Sequence, residues 1–448
     1  MEFTETIAAI ATGAARGGIG MIRLSGRQAE SIATVFLGKN PIPRYAHFTA
    51  FKDRDGALID EGILIYFKAP QSYTGEDVVE LQVHGGTQIL DALLERVLQF
   101  PDVRQARAGE FSERAFLNEK IDLTQAEAVI DLIDAGSRQA ALAASRSLTG
   151  AFSVKVNELL EQLIAIRVQI EVRIDFSDED LVTHPMDQII VALKNWQLTL
   201  NQLIDQTSQG VRLRDGLKVV IAGRPNAGKS SLLNALLGLN AAIVSDEAGT
   251  TRDVIRERLT LSGIPIDIAD TAGLRHSTQA IEAEGIRRAQ QEMKEADLIL
   301  YVVDSADVDA VRQAHLEIEQ LTVPTLLVMN KADLLANGPP STRDHAHIIH
   351  VSAQTGLGLD DLRAAVLVAT KTQYTDASLF SARRRHLTAL QQTAHAMTTA
   401  LALAESGQGL EVVAEELRHA QNALSEITGV FMSDDLLGKI FGEFCIGK

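Results

Sequence analysis

The segment Gly223-Arg224-Pro225-Asn226-Ala227-Gly228-Lys229-Ser230 has the residue types and spacing to hold a phosphate. Its glycines let the backbone wrap an anion, with the amides around Ala227 and Gly228 pointing inward. Lys229 is placed to bridge outer phosphates. Ser230 and Ser231 follow at the start of a helical pattern, where the Ser230 hydroxyl would hold Mg²⁺. Such a loop needs a strand before it and a helix after it. Val219-Val220-Ile221-Ala222 and Leu232-Leu233-Asn234-Ala235-Leu236-Leu237 supply both.

Downstream groups say which phosphate compound. Asp270-Thr271-Ala272-Gly273 closes a predicted strand over 264–269. A carboxylate there holds Mg²⁺ through water, and the Gly273 amide reaches a terminal phosphate. Asn330-Lys331-Ala332-Asp333 closes another predicted strand over 326–329. Asp333 would accept from the ring N–H and exocyclic amine of guanine, a donor pair that adenine lacks, and a buried carboxylate left unpaired there enforces the choice. Ser352-Ala353 ends a third strand over 348–351 and offers the base a main-chain amide. Gly249-Thr250-Thr251-Arg252-Asp253 lies between the phosphate loop and Asp270, where a switch threonine would close on Mg²⁺ and the last phosphate. Five elements in this order predict a GTPase domain with GTP and Mg²⁺ as its ligands.

The rest of the chain must position that site. Its 448 residues predict about three domains, and a 46% hydrophobic content is ample for cores. A single cysteine excludes a disulfide framework and fits a reducing cytoplasm. Glu2 and Glu5 stand where a signal peptide would be basic, and no apolar run approaches the roughly 20 residues of a membrane span. A net charge of −17 argues against broad nucleic-acid binding, though a local basic patch is compatible with it.

The pattern predicts an α/β multidomain chain. Residues 1–118 read as an α+β domain, with a strand over 5–11, a loop from Gly13 to Gly20, and strands through Met21-Ile22-Arg23-Leu24-Ser25 and over 78–84. In the last, Val79, Leu81 and Val83 face one way and Glu80, Gln82 and His84 the other. The loop Gly17-Gly18-Ile19-Gly20 has no following helix and no acidic partner, so it is not read as a dinucleotide site. Residues 119–210 read as helices. Thr124-Gln125-Ala126-Glu127 is read as a capping box for a helix with Ala126, Val129, Ile130 and Ile133 on one face. A long helical stretch over 137–174 should bury Leu142, Phe152, Val156, Leu159 and Leu160. The acidic run 175–180 is read as an exposed loop rather than a metal site. A further helix over 186–206 should bury Ile190, Leu193, Trp196 and Leu203, with Gly210 near the joint to the GTPase domain. That domain spans 211–376. Residues 377–448 return as helices, so the GTPase domain is inserted into a discontinuous helical bundle.

Three segments are more specific than the nucleotide motifs: Gly109-Glu110-Phe111-Ser112-Glu113-Arg114-Ala115-Phe116-Leu117-Asn118, Ser433-Asp434-Asp435-Leu436-Leu437-Gly438, and the end Cys445-Ile446-Gly447-Lys448. With the GTPase motifs they make the whole chain resemble the MnmE (TrmE) tRNA-modification GTPases. The resemblance implies a folate-binding-like N-terminal domain that makes a homodimer and binds 5,10-methylene- or formyl-tetrahydrofolate. Folate contacts would fall on Arg23, Glu80, Lys120 and Lys448. It also implies a flavin-dependent partner, MnmG (GidA), in a heterotetramer or larger assembly. Together they would place an aminomethyl or carboxymethylaminomethyl group on the 5-position of the tRNA wobble uridine, in the cytoplasm.

One departure from Ras-like enzymes has chemical weight. Leu274 follows Asp270-Thr271-Ala272-Gly273 where those enzymes carry a water-orienting glutamine, and only Arg252 and Arg275 are candidates for an internal arginine finger. Transition-state charge then needs another partner. The resemblance implies K⁺, held by Asn226 and by oxygens of Ser245, Glu247 and Thr250, with Ser245 and Asp246 also against the nucleotide. It implies Glu282 as the residue that orients water. Cys445 follows the apolar Ile440, Phe441 and Phe444, so the tail is expected to dock. Its thiol is either a nucleophile towards uracil carbon 6 or a positioning group. Two other readings, a ribosome-assembly GTPase like Era or Der and a folate aminomethyltransferase without GTPase activity, lack a visible RNA-binding module after Tyr374 and conflict with the complete nucleotide motifs, respectively.

Overall fold

The computed structural model describes residues 4–13, 17–175, 186–238, 256–261, 264–270, 291–335, 347–370, 380–407, 409–429, 434–442 and 444–447. These fall into two compact units, one of Met1–Ile130, Leu148–Leu193 and His395–Lys448, the other of Asp131–Ser147 and Lys194–Ala394. The acidic run from residue 176 onward lies outside the described residues.

The first unit is built on a six-stranded sheet of β1 (Thr6–Ile10), β2 (Gly17–Ser25), β3 (His47–Lys52), β4 (Leu58–Phe67), β5 (Val78–Gly85) and β6 (Val103–Gln105), in the order β3-β4-β5-β2-β1-β6. Only the β1–β6 pair is parallel. Alternation sends Ile22, Leu24, Val79 and Leu81 into a core with Ile32 and Leu93 from the helices Ala29–Leu37 and Thr87–Leu98. Arg23, Glu80 and Gln82 are left on the other face.

Four local expectations change. Gly17-Gly18-Ile19-Gly20 belongs to β2 rather than to a loop, with a register shift between Gly17 and Gly20. Glycine is needed there for close packing: a Cβ on Gly20 would press on Leu90 at 2.8 Å. The capping box is Asp122 and Gln125, two residues earlier than expected. The Asp122 carboxylate accepts from the Gln125 amide at 2.9 Å, and the Gln125 side chain accepts from the Asp122 amide at 2.9 Å. The helix it opens, Leu123–Ile133, leaves Ile133 51% exposed. The stretch 137–174 is two helices, Arg138–Leu148 and Ala151–Asp175, broken at Gly150 with φ +89°. The break resets the phase, so Ala140, Ala143 and Ala144 form the buried stripe and Leu142 is 49% exposed. Phe152, Val156 and Leu159 are buried as expected, and Leu160 is half-buried.

The helix Met186–Asp215 runs nine residues past the expected end. Gly210 lies inside it, where a Cβ would strike the Phe380 carbonyl, and the chain turns at Gly216 with φ +81°. Leu193, Trp196 and Leu203 are buried, and Ile189 rather than Ile190 faces the core.

The second unit carries a six-stranded sheet of β7 (Leu217–Ala222), β8 (Arg256–Leu261), β9 (Ile264–Asp270), β10 (Leu298–Asp304), β11 (Thr325–Asn330) and β12 (Ile348–His350), in the order β12-β11-β10-β7-β9-β8. All pairs are parallel except β8–β9. The central strands β7, β10 and β11 read as nearly continuous apolar runs because both faces are covered. From β7 the chain goes first to β8 and β9 on one side and then to β10 on the other. The crevice outside the carboxyl end of β7 is therefore the switch point at which such sheets bind ligands.

Candidate functional site

The phosphate loop leaves the carboxyl end of β7 and enters the helix Lys229–Gly238. Gly223 has φ +133° and Gly228 φ +89°, both left-handed. A Cβ on Gly223 would strike the Val302 carbonyl, and one on Gly228 would strike the Asn330 amide. These positions admit only glycine, and the loop they permit is a cradle for an anion at a helix N-terminus. Asn226 is exposed in the loop with φ +63°, which asparagine tolerates better than most residues. Lys229 is 7% exposed and donates to the carbonyls of Gly223 at 2.9 Å and Arg224 at 2.7 Å. Ala227 is buried, and Ser230 and Ser231 are exposed on the first turn of the helix.

The sheet delivers the other motifs to the same end. Asp270 is the register partner of Ile221, one residue before β7 ends. Asn330 closes β11 beside Asp304 at the end of β10. Asn330 is 2% exposed and bonds in two directions: its amide donates to the Ala227 carbonyl at 2.9 Å, and its carbonyl accepts from the Ala353 amide at 3.1 Å. It thereby ties the phosphate loop to the segment expected to face the base. The Ala353 amide, expected to back the base, is engaged by Asn330. Ser352 is buried, with its hydroxyl accepting from the Thr355 amide at 3.2 Å.

Lys331 takes a left-handed turn, φ 60°, and its ammonium sits 2.7 Å from Asp304. That hydrogen bond lowers the Asp304 carboxyl below its ordinary range, against burial. Asp333 follows in the short helix Ala332–Leu334 and is exposed, not buried as the sequence reading supposed. Its carboxylate is open to solvent, so the burial that would penalise a wrong base has to come from the bound base itself. Ser245, Asp246, Glu247, Thr250, Thr251, Gly273, Leu274 and Glu282 lie outside the described residues, as do Arg252 and Arg275.

In the first unit, Arg23 and Glu80 are direct cross-strand partners on β2 and β5. The guanidinium donates to Glu80 at 2.9 and 3.2 Å, and both side chains keep about a sixth of their surface, 17% and 16%. The Arg23 guanidinium also lies 5.4 Å from the Tyr73 ring centre and 5.8 Å from that of Phe111. Burial raises the Tyr73 hydroxyl, against its 2.8 Å hydrogen bond with Ser112 and the charge of Arg23. Lys120 is exposed and donates to the Pro70 carbonyl at 3.0 Å. Lys448 lies outside the described residues.

The tail docks on this unit. Ile440, Phe441 and Phe444 are buried with Leu123 and Ala126, Ile446 bridges to Ala108, and Cys445 is exposed. Gly109, φ 68°, lets the Phe441 carbonyl approach, since a Cβ there would collide with it.

A protein-family model described as MnmE helical domain matches residues 123–445, and one described as GTP-binding protein TrmE N-terminus matches residues 6–120. Proteins named tRNA modification GTPase MnmE from Yersinia pseudotuberculosis serotype IB (strain PB1/+) and from Yersinia pestis bv. Antiqua (strain Angola) are each 50% identical over 454 residues, covering 100% of both chains. This chain belongs to the MnmE family. Among solved structures, a variant of Aquifex aeolicus Era bound to GDP·AlF4⁻ matches 41% of this MnmE-family chain and 67% of its own, at 26% identity and a TM-score of 0.28, a likeness too distant to bear on the site.

A buried ionic network, not expected from the sequence, is centred on Glu110 and Arg114 of the segment 109–118. Glu110 is 1% exposed and accepts from Arg104 at 2.5 and 2.7 Å, from the Arg107 amide at 2.9 Å and from Arg114 at 3.1 Å. Burial alone would raise its carboxyl, but these donors outweigh it and hold it at about 2. Arg114, also 1% exposed, reaches Glu76 at 2.9 Å, and Glu76 accepts from Ser25 at 2.6 Å. The available signal was three charged residues, Glu110, Glu113 and Arg114, in an eight-residue helix that also carries Phe111, Ala115 and Phe116.

Proposed function

We propose that this chain is a K⁺-activated GTPase that acts with tRNA and a flavin-dependent partner, MnmG (GidA), to install an aminomethyl or carboxymethylaminomethyl group on the 5-position of the wobble uridine. Family membership supports the coarse activity, GTP hydrolysis in tRNA modification. The observation that carries the finer reading is the phosphate cradle itself, in which glycine is obligatory at 223 and 228 and an exposed asparagine stands at 226. That cradle fits a nucleotide's phosphates. Lys229 is poised to exchange its two loop carbonyls for phosphate oxygens, and Asp333 selects guanine. Ser230 and Thr251 would hold Mg²⁺. Asn226, with Ser245, Glu247 and Thr250, would hold K⁺, which when bound supplies positive charge to the developing anion in place of an arginine. Glu282 would orient the attacking water.

The N-terminal unit is assigned to a one-carbon tetrahydrofolate. Its donor set fits: a carboxylate for the amino-pyrimidine edge at Glu80, and a guanidinium with aromatic walls at Arg23. Lys120 and Lys448 would meet the ligand's acidic end. Cys445 is an exposed thiol on the docked tail, as a nucleophile towards uracil requires. A homodimer through residues 1–118 and a cytoplasmic location complete the reading. No helix among the described residues is long and apolar enough to cross a membrane.

The test is hydrolysis in K⁺ against Na⁺. Turnover should be much faster in K⁺, and Asn226→Ala should lose that stimulation while keeping nucleotide affinity. Equal rates in both salts would exclude K⁺ activation. Nucleoside analysis of tRNA from a deletion strain checks the pathway, and unmodified wobble uridine is the expected result.

A further inference from the structure

The ten residues joining β4 to β5, 68–77, form no regular element, yet polar groups pin them along their length. The Ala69 amide donates to Asp77 at 2.8 Å, Asn118 donates to the Thr74 carbonyl at 2.7 Å, and the Thr74 and Ser25 hydroxyls meet at 2.6 Å. Tyr73 is held by Ser112 and faces Arg23. A surface connection anchored to this extent is a rigid wall rather than a spacer.

The other end of the wall is cationic. Arg44, in a left-handed turn at φ 59°, donates to the Gln71 carbonyl at 2.8 Å, and its guanidinium lies 5.7 Å from the Phe67 ring centre. Lys120 donates to the preceding carbonyl, Pro70, at 3.0 Å. Two cationic heads are thus set on consecutive carbonyls of one loop. Lys68 starts the same loop and is exposed. None of the three meets a carboxylate at salt-bridge distance among the described residues, whereas Arg23, Arg104, Arg107 and Arg114 of the same unit all do. In a chain of net charge −17, three cations left with carbonyls or solvent mark a place for an external anion.

We infer that Arg44, Lys68 and Lys120 form a subsite for the poly-γ-glutamate tail of a folate, continuing along the loop from the Arg23–Glu80 pair. This rests on the folate reading of that pair and adds to it the form of the ligand. Tyr73 and Pro70 are three residues apart, so the loop spans at most ~11 Å between the two ends. A ligand with its ring at Arg23 and Glu80 has the cations within reach of an acidic end that follows the loop. Successive carboxylates of a glutamate chain suit several separated cations better than one carboxylate does.

The experiment is equilibrium binding to the full chain of tetrahydrofolate bearing one glutamate and of its pentaglutamate form. The wild type should bind the pentaglutamate about tenfold more tightly at low salt, and the preference should fade in high salt. An Arg44→Ala, Lys68→Ala double variant should lose the preference while its affinity for the monoglutamate changes by less than about twofold. Arg44→Lys should retain most of it, which separates a charge effect from misfolding. Equal affinity of the wild type for both ligands, or a preference that survives in the double variant, overturns the subsite. So does weakened tRNA binding in the double variant without any dependence on glutamate number, which would give these cations to nucleic acid. Failure of the wild type to bind either ligand is a different result, and it removes the folate reading itself.

Discussion

In the nucleotide unit, the groups proposed to face the ligand come from short consecutive runs at the ends of parallel strands, many of them backbone amides. In the N-terminal unit the polar groups that meet are side chains gathered from far apart: Arg23 and Glu80 are 57 residues apart in sequence, and Glu76 and Arg114 are 38 apart. The first kind of site depends on conformations that only certain residues permit, such as Gly223, Gly228 and the left-handed Lys331. The second depends on charge pairs, whose partners a fold can supply from any strand. Loss of one group should therefore act differently in the two. It should abolish selectivity or affinity in the nucleotide unit and erode stability in the N-terminal unit.

The largest effect should fall on nucleotide choice. Asp333→Asn replaces the acceptor pair for guanine by one donor and one acceptor, which suits xanthine. The preference for GTP over the xanthine nucleotide should fall by about a hundredfold to a thousandfold, with hydrolysis of the xanthine nucleotide rising in parallel. Competition binding checks this. An unchanged preference would move base selection away from Asp333.

Next is Asn330→Ala. The variant orphans the buried Ala227 carbonyl, at about 1–3 kcal/mol, and the half-buried Ala353 amide, at less. Because these belong to the phosphate loop and to the base segment, GTP affinity should drop by about a hundredfold or more. Folate binding to the N-terminal unit should not change. If both ligands are lost together, the two sites are not built independently and the comparison breaks.

The same contrast explains what could be read in advance. Each nucleotide motif carries its own strand, turn and helix signals within about ten residues, so position and chemistry are visible together. The Arg23–Glu80 pair shows only as two polar residues on alternating strands, and the resemblance was needed to single it out. Glu110 and Arg114 stand in the segment 109–118 with no sign of their partners, and Glu76 carries no sequence signal at all, because their meeting depends on strand pairing and on the helix Glu110–Leu117 closing over the sheet. Helix phase failed at Leu142 and Ile133 for a related reason. A break at Gly150 and a cap at Asp122 shift the buried stripe, and both are set by contacts that periodicity does not contain.

Glu110→Gln probes the N-terminal network and should act through stability. It keeps the shape and removes the charge that Arg104, Arg107 and Arg114 share. At neutral pH the loss should be about 2–3 kcal/mol. The sign of its pH dependence follows from a folded carboxyl held at about 2, below its ordinary value of 4.5. The stabilisation is complete above about pH 4.5 and is lost as pH falls through about 2. Chemical denaturation of wild type and variant should show a constant gap from pH 8 to about 5 that closes below about 4.5. A gap that instead widened in acid would assign the network to hydrogen bonding by a neutral carboxyl.

The smallest effect tests whether a charge pair in the nucleotide unit behaves like those in the other. Asp304 and Lys331 are 27% and 35% exposed, so their 2.7 Å contact is screened and adds at most about 1 kcal/mol. On stability alone, Asp304→Asn should be nearly silent. Lys331, however, sits in a left-handed turn between Asn330 and Asp333, and its ammonium ties that turn to Asp304 at the end of β10, next to Ser305, whose hydroxyl donates to the Asn330 carbonyl at 2.6 Å. The Asp304 carboxyl is lowered by the Lys331 hydrogen bond, so its contribution is present above its ordinary range and fades in acid. Asp304→Asn should therefore weaken GTP binding by about threefold to fivefold at pH 7 while moving the unfolding midpoint little, and the difference from wild type should shrink towards pH 3. A variant that loses stability without losing affinity would show that even here a surface pair serves the fold and not the ligand.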